Sequence, residues 1–173
     1  LAFAFAMTGN EDYAAEGVRL LQEIVFPPRG GDMGEPHLEG DVVALYATAY
    51  DMLHPFLVRD EQAMTAIRGS LAEEAGRLFK GLKVGVGSLK YRLHATDHLD
   101  NWHLRVYGAL GLAAWALAEH EGYEGSDPED WAGRAFDVVT RALDFQIEPE
   151  DGSFAEGPFY ARYEADLYMP YLL

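Results

Sequence analysis

Cysteine is absent from all 173 residues. That excludes disulfides, thiolate zinc sites and a cysteine nucleophile. Bases are scarce: 13 Lys and Arg stand against 29 Asp and Glu, a formal net charge of −16. Phosphate binding rests on clustered bases, so an extended nucleic-acid surface is excluded. No apolar run approaches the roughly 18–20 residues of a membrane span. The opening Leu1–Met7 stretch is apolar but short, without a charged leader or cleavage site, and does not read as a signal peptide. The chain opens on Leu1 and stops at Leu173 without a helix-stop signal, as expected of an internal segment of a longer protein. What is present is 49% hydrophobic residues, enough to build a core for one domain or part of one.

Most of the chain carries helical periodicity. Glu11–Val25 has apolar residues at Tyr13, Val18, Leu21 and Ile24, with Asn10 as N-cap, and the Pro27-Pro28-Arg29-Gly30-Gly31 run ends it. A second helix is expected over Leu38–Leu53, with Val42, Leu45, Tyr46, Ala49 and Leu53 on one face and a break at His54-Pro55. Asp60 caps a third through Phe79, striped by Ile67, Leu71, Ala75 and Leu78. Asn101–Glu119 is apolar nearly all round, the mark of a helix buried on several sides. Trp131–Ile147 follows, opened by Pro128 or Asp130, then a turn at Glu148–Ser153 and an aromatic segment from Phe154. No strand or hairpin is expected. Six or seven helices joined by short connections predict an all-α fold of antiparallel helical hairpins.

Gly81–Asp100 stands apart, with glycines at Gly85 and Gly87 and the chain's one basic concentration: Lys80, Lys83, Lys90 and Arg92. Long connectors of this kind often carry function. The Gly85-x-Gly87 pair lacks the third glycine of a dinucleotide fingerprint and the Gly-Lys-Ser/Thr of a P-loop. His94, His98 and His103 are spaced for chelation only on a continuous helix, which the glycines and Asp100 oppose. Asp97, Asp100, Glu156 and Glu164 qualify by position as paired carboxylates, but in so acidic a chain a solvated face is the default.

A two-part constellation is more distinctive. One part is Asp100-Asn101-Trp102-His103, opening the most apolar helix directly after the basic stretch. The other is Asp151-Gly152-Ser153-Phe154-Ala155-Glu156-Gly157-Pro158-Phe159-Tyr160-Ala161-Arg162-Tyr163. Tyr160 and Tyr163, three apart, share a helical face beside Arg162. By residue type alone, an aromatic-rich helix of this kind serves core packing as readily as chemistry.

Asn-Trp at the head of a Gly/Ala-rich helix, followed downstream by Asp-Gly-Ser-x-x-Glu-Gly-Pro-x-Tyr, resembles the helical domain of heparinase II/III-like and alginate-lyase polysaccharide lyases. Ala49-Tyr50-Asp51-Met52-Leu53 and the Ile67–Leu71 stretch look like that family's hairpins, so the resemblance spans about Leu38 to Leu173. It implies that residues 1–173 are one segment of an α/α toroid, an incomplete barrel, followed in the longer protein by a β-sandwich. The implied reaction is β-elimination at a uronic acid, without an organic cofactor; any metal would belong to the absent sandwich. Asn101 would neutralise the C5 carboxylate, and Tyr160 would be the catalytic tyrosine, with Tyr163 as fallback one helical turn on. Trp102, His103, Arg105, Arg162 and Arg92 would contact the substrate, an anionic polysaccharide, and Glu156 would hold a neighbour's orientation.

Some relatives have His directly after the Asn, where this chain has Trp102, and the family's further catalytic His belongs to a later region. Export to periplasm or medium follows from the size of the substrate. Two rivals remain open. One is a glycoside hydrolase on an α/α toroid using carboxylates such as Asp97 and Glu156; the other is a noncatalytic helical-repeat binding module whose aromatics pack.

Overall fold

The computed structural model describes residues 1–24, 26, 36–84, 101–118 and 127–173. Among them are seven helices: α1 (Ala2–Thr8), α2 (Glu11–Glu23), α3 (Pro36–Leu57), α4 (Glu61–Val84), α5 (Asn101–Ala116), α6 (Pro128–Gln146) and α7 (Pro158–Leu172). The all-α expectation holds. The one β-type pairing among the described residues is a bridge between Ile147 and Phe154 that closes the turn before α7.

Local chemistry accounts for most boundaries. The Asn10 side chain accepts a hydrogen bond from the Asp12 N–H at 2.9 Å, and Asp60 accepts one from Ala63 at 3.0 Å. Asp127 does the same for Asp130 at 2.9 Å, so α6 begins at Pro128, whose missing N–H costs nothing in a first turn.

Three features depart from the sequence reading. Ala2–Thr8 forms a short helix that packs on α3 through an edge-on contact of Phe5 with Phe56. Pro55 does not break α3, which runs on to Leu57. Proline there removes only the bond to the carbonyl of exposed Asp51, while continuing the helix buries Leu57 completely. Finally, α4 extends to Val84, into the start of the stretch expected to be a loop. Lys80 and Lys83 there are good helix formers by residue type.

Cross-helix contacts establish the order of the helices. Gly40 lies against Val106, while Ala44, one turn later, clusters with Ala109, so α3 and α5 run in the same direction. Arg105 meets Tyr163, Gly108 meets Tyr168 and Gly111 meets Tyr171, so α7 runs in that direction too. The intervening helices return. Gly17 and Leu21 of α2 meet Leu53 and Tyr46 of α3, and Arg77 near the end of α4 pairs with Glu39 at the start of α3. Arg134, early in α6, faces Tyr107 in the second turn of α5. Gln146 at the end of α6 reaches Glu156, which bonds the first residue of α5. The result is a parallel row of α3, α5 and α7, with α2, α4 and α6 antiparallel to it.

α5 is the centre of this array, packed on α3, α4, α6 and α7. Leu104, Tyr107, Leu110 and Leu117 are fully buried with Tyr50, Leu53, Ile67, Leu71 and Trp131. Burying a side chain of this size stabilises by about 1.5–3 kcal/mol. Leu45, expected on an apolar stripe, is instead well exposed.

Tyr46 yields a prediction about pH. It is buried in the core, its hydroxyl donates to the Leu21 carbonyl oxygen at 3.1 Å, and burial pushes its phenol up to about 12. Unfolded, the phenol ionises near pH 10, so between pH 10 and 12 the unfolded chain holds fewer protons and stability falls. Its contribution is complete below about pH 10 and declines as pH rises towards 12, by about 2–3 kcal/mol in all. Urea titrations from pH 8 to 11.5 should show this decline, and Tyr46→Phe should flatten it. Equal slopes in the two proteins would refute the assignment.

Candidate functional site

Because α3, α5 and α7 are parallel and in register, their first turns share one end of the molecule. The polar residues of α5 are concentrated there. Asn101, His103 and Arg105 are buried at 8%, 3% and 7% exposure, whereas the next turns of the helix are apolar. A buried helix with a polar first turn reads as a site carried on a hydrophobic stem.

Arg105 is the hub. Its Nε and Nη2 donate to Asp41 Oδ1 at 3.1 and 2.5 Å, and its Nη1 donates to the Tyr163 carbonyl oxygen. Its Cζ lies 3.7 Å from the centroid of the Tyr163 ring, a cation–π contact. One side chain thereby joins α3, α5 and α7. The Tyr163 ring in turn meets Tyr160 edge-on at 6.5 Å, and Tyr160 meets Phe159 edge-on at 5.4 Å. Tyr160 is 41% exposed, so a tyrosine with solvent access stands one helical turn from the buried hub.

Glu156 anchors the start of α5. Its Oε1 accepts the Asn101 backbone N–H at 3.3 Å and the Gln146 side-chain N–H at 3.2 Å. A carboxylate at a helix N-terminus satisfies an N–H left without an intrahelical partner and opposes the positive end of the dipole. Glu156→Gln, which removes only the charge, should cost about 0.3–1 kcal/mol at low salt and less at high salt. Glu156→Ala, which also strips Gln146 of this acceptor, should cost about 1–2 kcal/mol. Urea midpoints at low salt and at 1 M salt test this, and a wild-type midpoint for both variants would refute it.

The remaining expected substrate contacts are distributed unevenly. Arg162 is exposed on α7, and Trp102 is half-buried, packed against the core. His103 is buried and stacks on Tyr107, centroids 6.4 Å apart and planes 8° apart. Arg105, expected to touch substrate, commits its fork and its face to Asp41 and Tyr163. Arg92, His94, Asp97, His98 and Asp100 lie outside the described residues. Among the described residues no group of three or more His, Asp or Glu could hold a metal ion, and no helix is long and apolar enough to cross a membrane.

Buried Glu164 adds negative charge beside Tyr168, whose phenol is raised above its usual range first by burial and then by that carboxylate. Burial likewise raises Tyr107 and Tyr171. Sequence reasoning did not single out Asp41 or Gln146. The one available signal for Asp41 is an acid placed a turn inside an apolar helix.

No protein-family model, no curated protein and no solved structure matches this chain. The chemistry of the site therefore rests on the geometry above.

Proposed function

We propose that this chain is the toroid-forming helical part of a polysaccharide lyase that cleaves uronic-acid-containing chains by β-elimination. The observation that carries the reading is an exposed tyrosine, Tyr160, beside the Tyr163–Arg105 stack, at the end of the molecule where Asn101 opens α5. The parallel α3, α5, α7 row with antiparallel returning helices supports a toroid segment, since a ring of helical hairpins repeats this alternation.

The C5–H of a uronate is a poor acid, because deprotonation places a second negative charge next to its carboxylate. Donors preorganised at that carboxylate lower the barrier most. Asn101, at the start of α5, supplies an amide for this. A base removes the C5 proton, and the electron pair forms the C4–C5 double bond as the C4–O bond breaks. The leaving oxygen takes the Tyr160 proton. A positioned tyrosine hydroxyl can serve as a general acid for a leaving oxygen. Arg162, exposed two residues further along α7, is available to the polyanion.

The test is to incubate the intact protein separately with heparan sulfate, hyaluronan, chondroitin and alginate, following both ultraviolet absorbance of unsaturated uronate and new reducing ends. Elimination produces both signals. Reducing ends without absorbance would replace the proposal with a hydrolase. Silence in both assays on all four polymers would remove the lyase reading in favour of a binding module.

A further inference from the structure

We propose that Asp41 is a positioning residue for the site: by holding the Arg105 guanidinium against the Tyr163 ring, it sets where the tyrosines of α7 stand over the first turn of α5. The inference rests on the lyase reading and assigns Arg105 a different task from contact with substrate.

The geometry is over-determined at one point. A guanidinium is a rigid planar fork, so fixing one edge fixes the direction of the other donors and the tilt of the plane. Asp41 Oδ1 takes both Nε and Nη2. That leaves Nη1 aimed at the Tyr163 carbonyl oxygen and Cζ 3.7 Å from the centroid of the Tyr163 ring. Backbone and ring of a single residue are thus both held, which sets the height and the rotation of the first turns of α7 against α5. Tyr160 follows, its ring 6.5 Å from that of Tyr163.

Asp41 itself acts only through Arg105. The second half of α7 is anchored separately, by Gly108 and Gly111 against Tyr168 and Tyr171 and by the Tyr171 hydroxyl donating to the Ala132 carbonyl oxygen at 2.9 Å. Loss of Asp41 therefore loosens the tyrosine end of α7 while the helix stays docked.

The experiment compares wild type, Asp41→Asn, Asp41→Glu and Tyr160→Phe in the intact protein, on whichever of the four polymers above yields unsaturated uronate. Asp41→Asn should lower kcat by about 10–100-fold, the effect of a small misplacement, and leave KM within about twofold. Asp41→Glu should recover part of that loss. In proton NMR, the Arg105 Nε–H signal should shift in Asp41→Asn, which changes both its acceptor and its place over the Tyr163 ring.

Should the orphaned guanidinium prevent folding, Asp41→Asn combined with Arg105→Gln removes both charges and must show the same fall in kcat. A wild-type kcat in these variants, a raised KM at unchanged kcat, or an unmoved Arg105 signal would each overturn the inference. If Tyr160→Phe is inactive while Asp41→Asn is not, the lyase reading stands and this inference alone falls. A wild type that yields no unsaturated uronate ends both.

Discussion

Gly111→Ala is expected to destabilise the protein by about 2–3 kcal/mol, despite placing a better helix former in α5. Alanine gains about 1 kcal/mol over glycine in a helix interior. At Gly111 the added methyl would stand 2.4–2.6 Å from three ring atoms of Tyr171, where carbon contacts normally sit at about 3.5–4.0 Å. The ring cannot swing away, because it is buried and its hydroxyl is tied to Ala132. Gly108→Ala should behave similarly for a different reason: its methyl meets the Tyr168 backbone at 3.0 Å, so α7 as a whole must shift.

Gly69→Ala and Gly133→Ala are the controls. Both glycines are exposed helical positions with nothing within 4 Å of an added methyl. Each substitution should stabilise by about 0.5–1 kcal/mol. Urea unfolding of all four variants decides the matter by sign. The Gly111→Ala loss should also shrink in a Tyr171→Leu background, where the opposing ring is gone. Stabilisation by Gly111→Ala would mean that α5 and α7 are not as close as described.

Tyr160→Phe is the second large effect, this time on chemistry. Under the proposed lyase reading this substitution removes the proton donor and should lower elimination about 10²–10⁴-fold, or roughly 3–5 kcal/mol of transition-state stabilisation. Stability should hardly change, since the ring is 41% exposed and its aromatic contacts survive the substitution. Tyr163→Phe should be mild by comparison, because phenylalanine still offers a ring face to Arg105. The comparison is informative in both directions. Loss in Tyr163→Phe with near-normal Tyr160→Phe would move the acid one helical turn along α7. Full rates in both would leave these rings as packing and end the catalytic assignment. Circular dichroism of each variant separates lost chemistry from lost fold.

Much of this fold is legible from local sequence. Asn10, Asp60 and Pro128 mark helix starts by short-range hydrogen bonding and fixed φ, and the caps observed at Asn10, Asp60 and Asp127 are of that kind. The apolar run after Asn101 announced a helix surrounded on several sides, and α5 is packed on four others. Where local rules failed, burial outweighed propensity, as at Pro55, or a short apolar stretch found a partner only in the folded chain, as Phe5 did in Phe56.

The constellation at the heads of α5 and α7 was likewise visible as residue types, but its connections were not. Arg105 bonds Asp41 across 64 positions, and Asn101 meets Glu156 across 55. Such pairs carry no periodic signature, because they depend on which turn of one helix comes level with which turn of another. The sequence by itself determined the helical class, the caps, the buried central helix and the candidate residues, since these follow from interactions within a few positions. Only the tertiary structure decided that α3, α5 and α7 run parallel, that Arg105 is held by Asp41 and Tyr163, and that Tyr160 keeps solvent access. Those features arise from packing contacts between distant segments, whose register no local rule specifies.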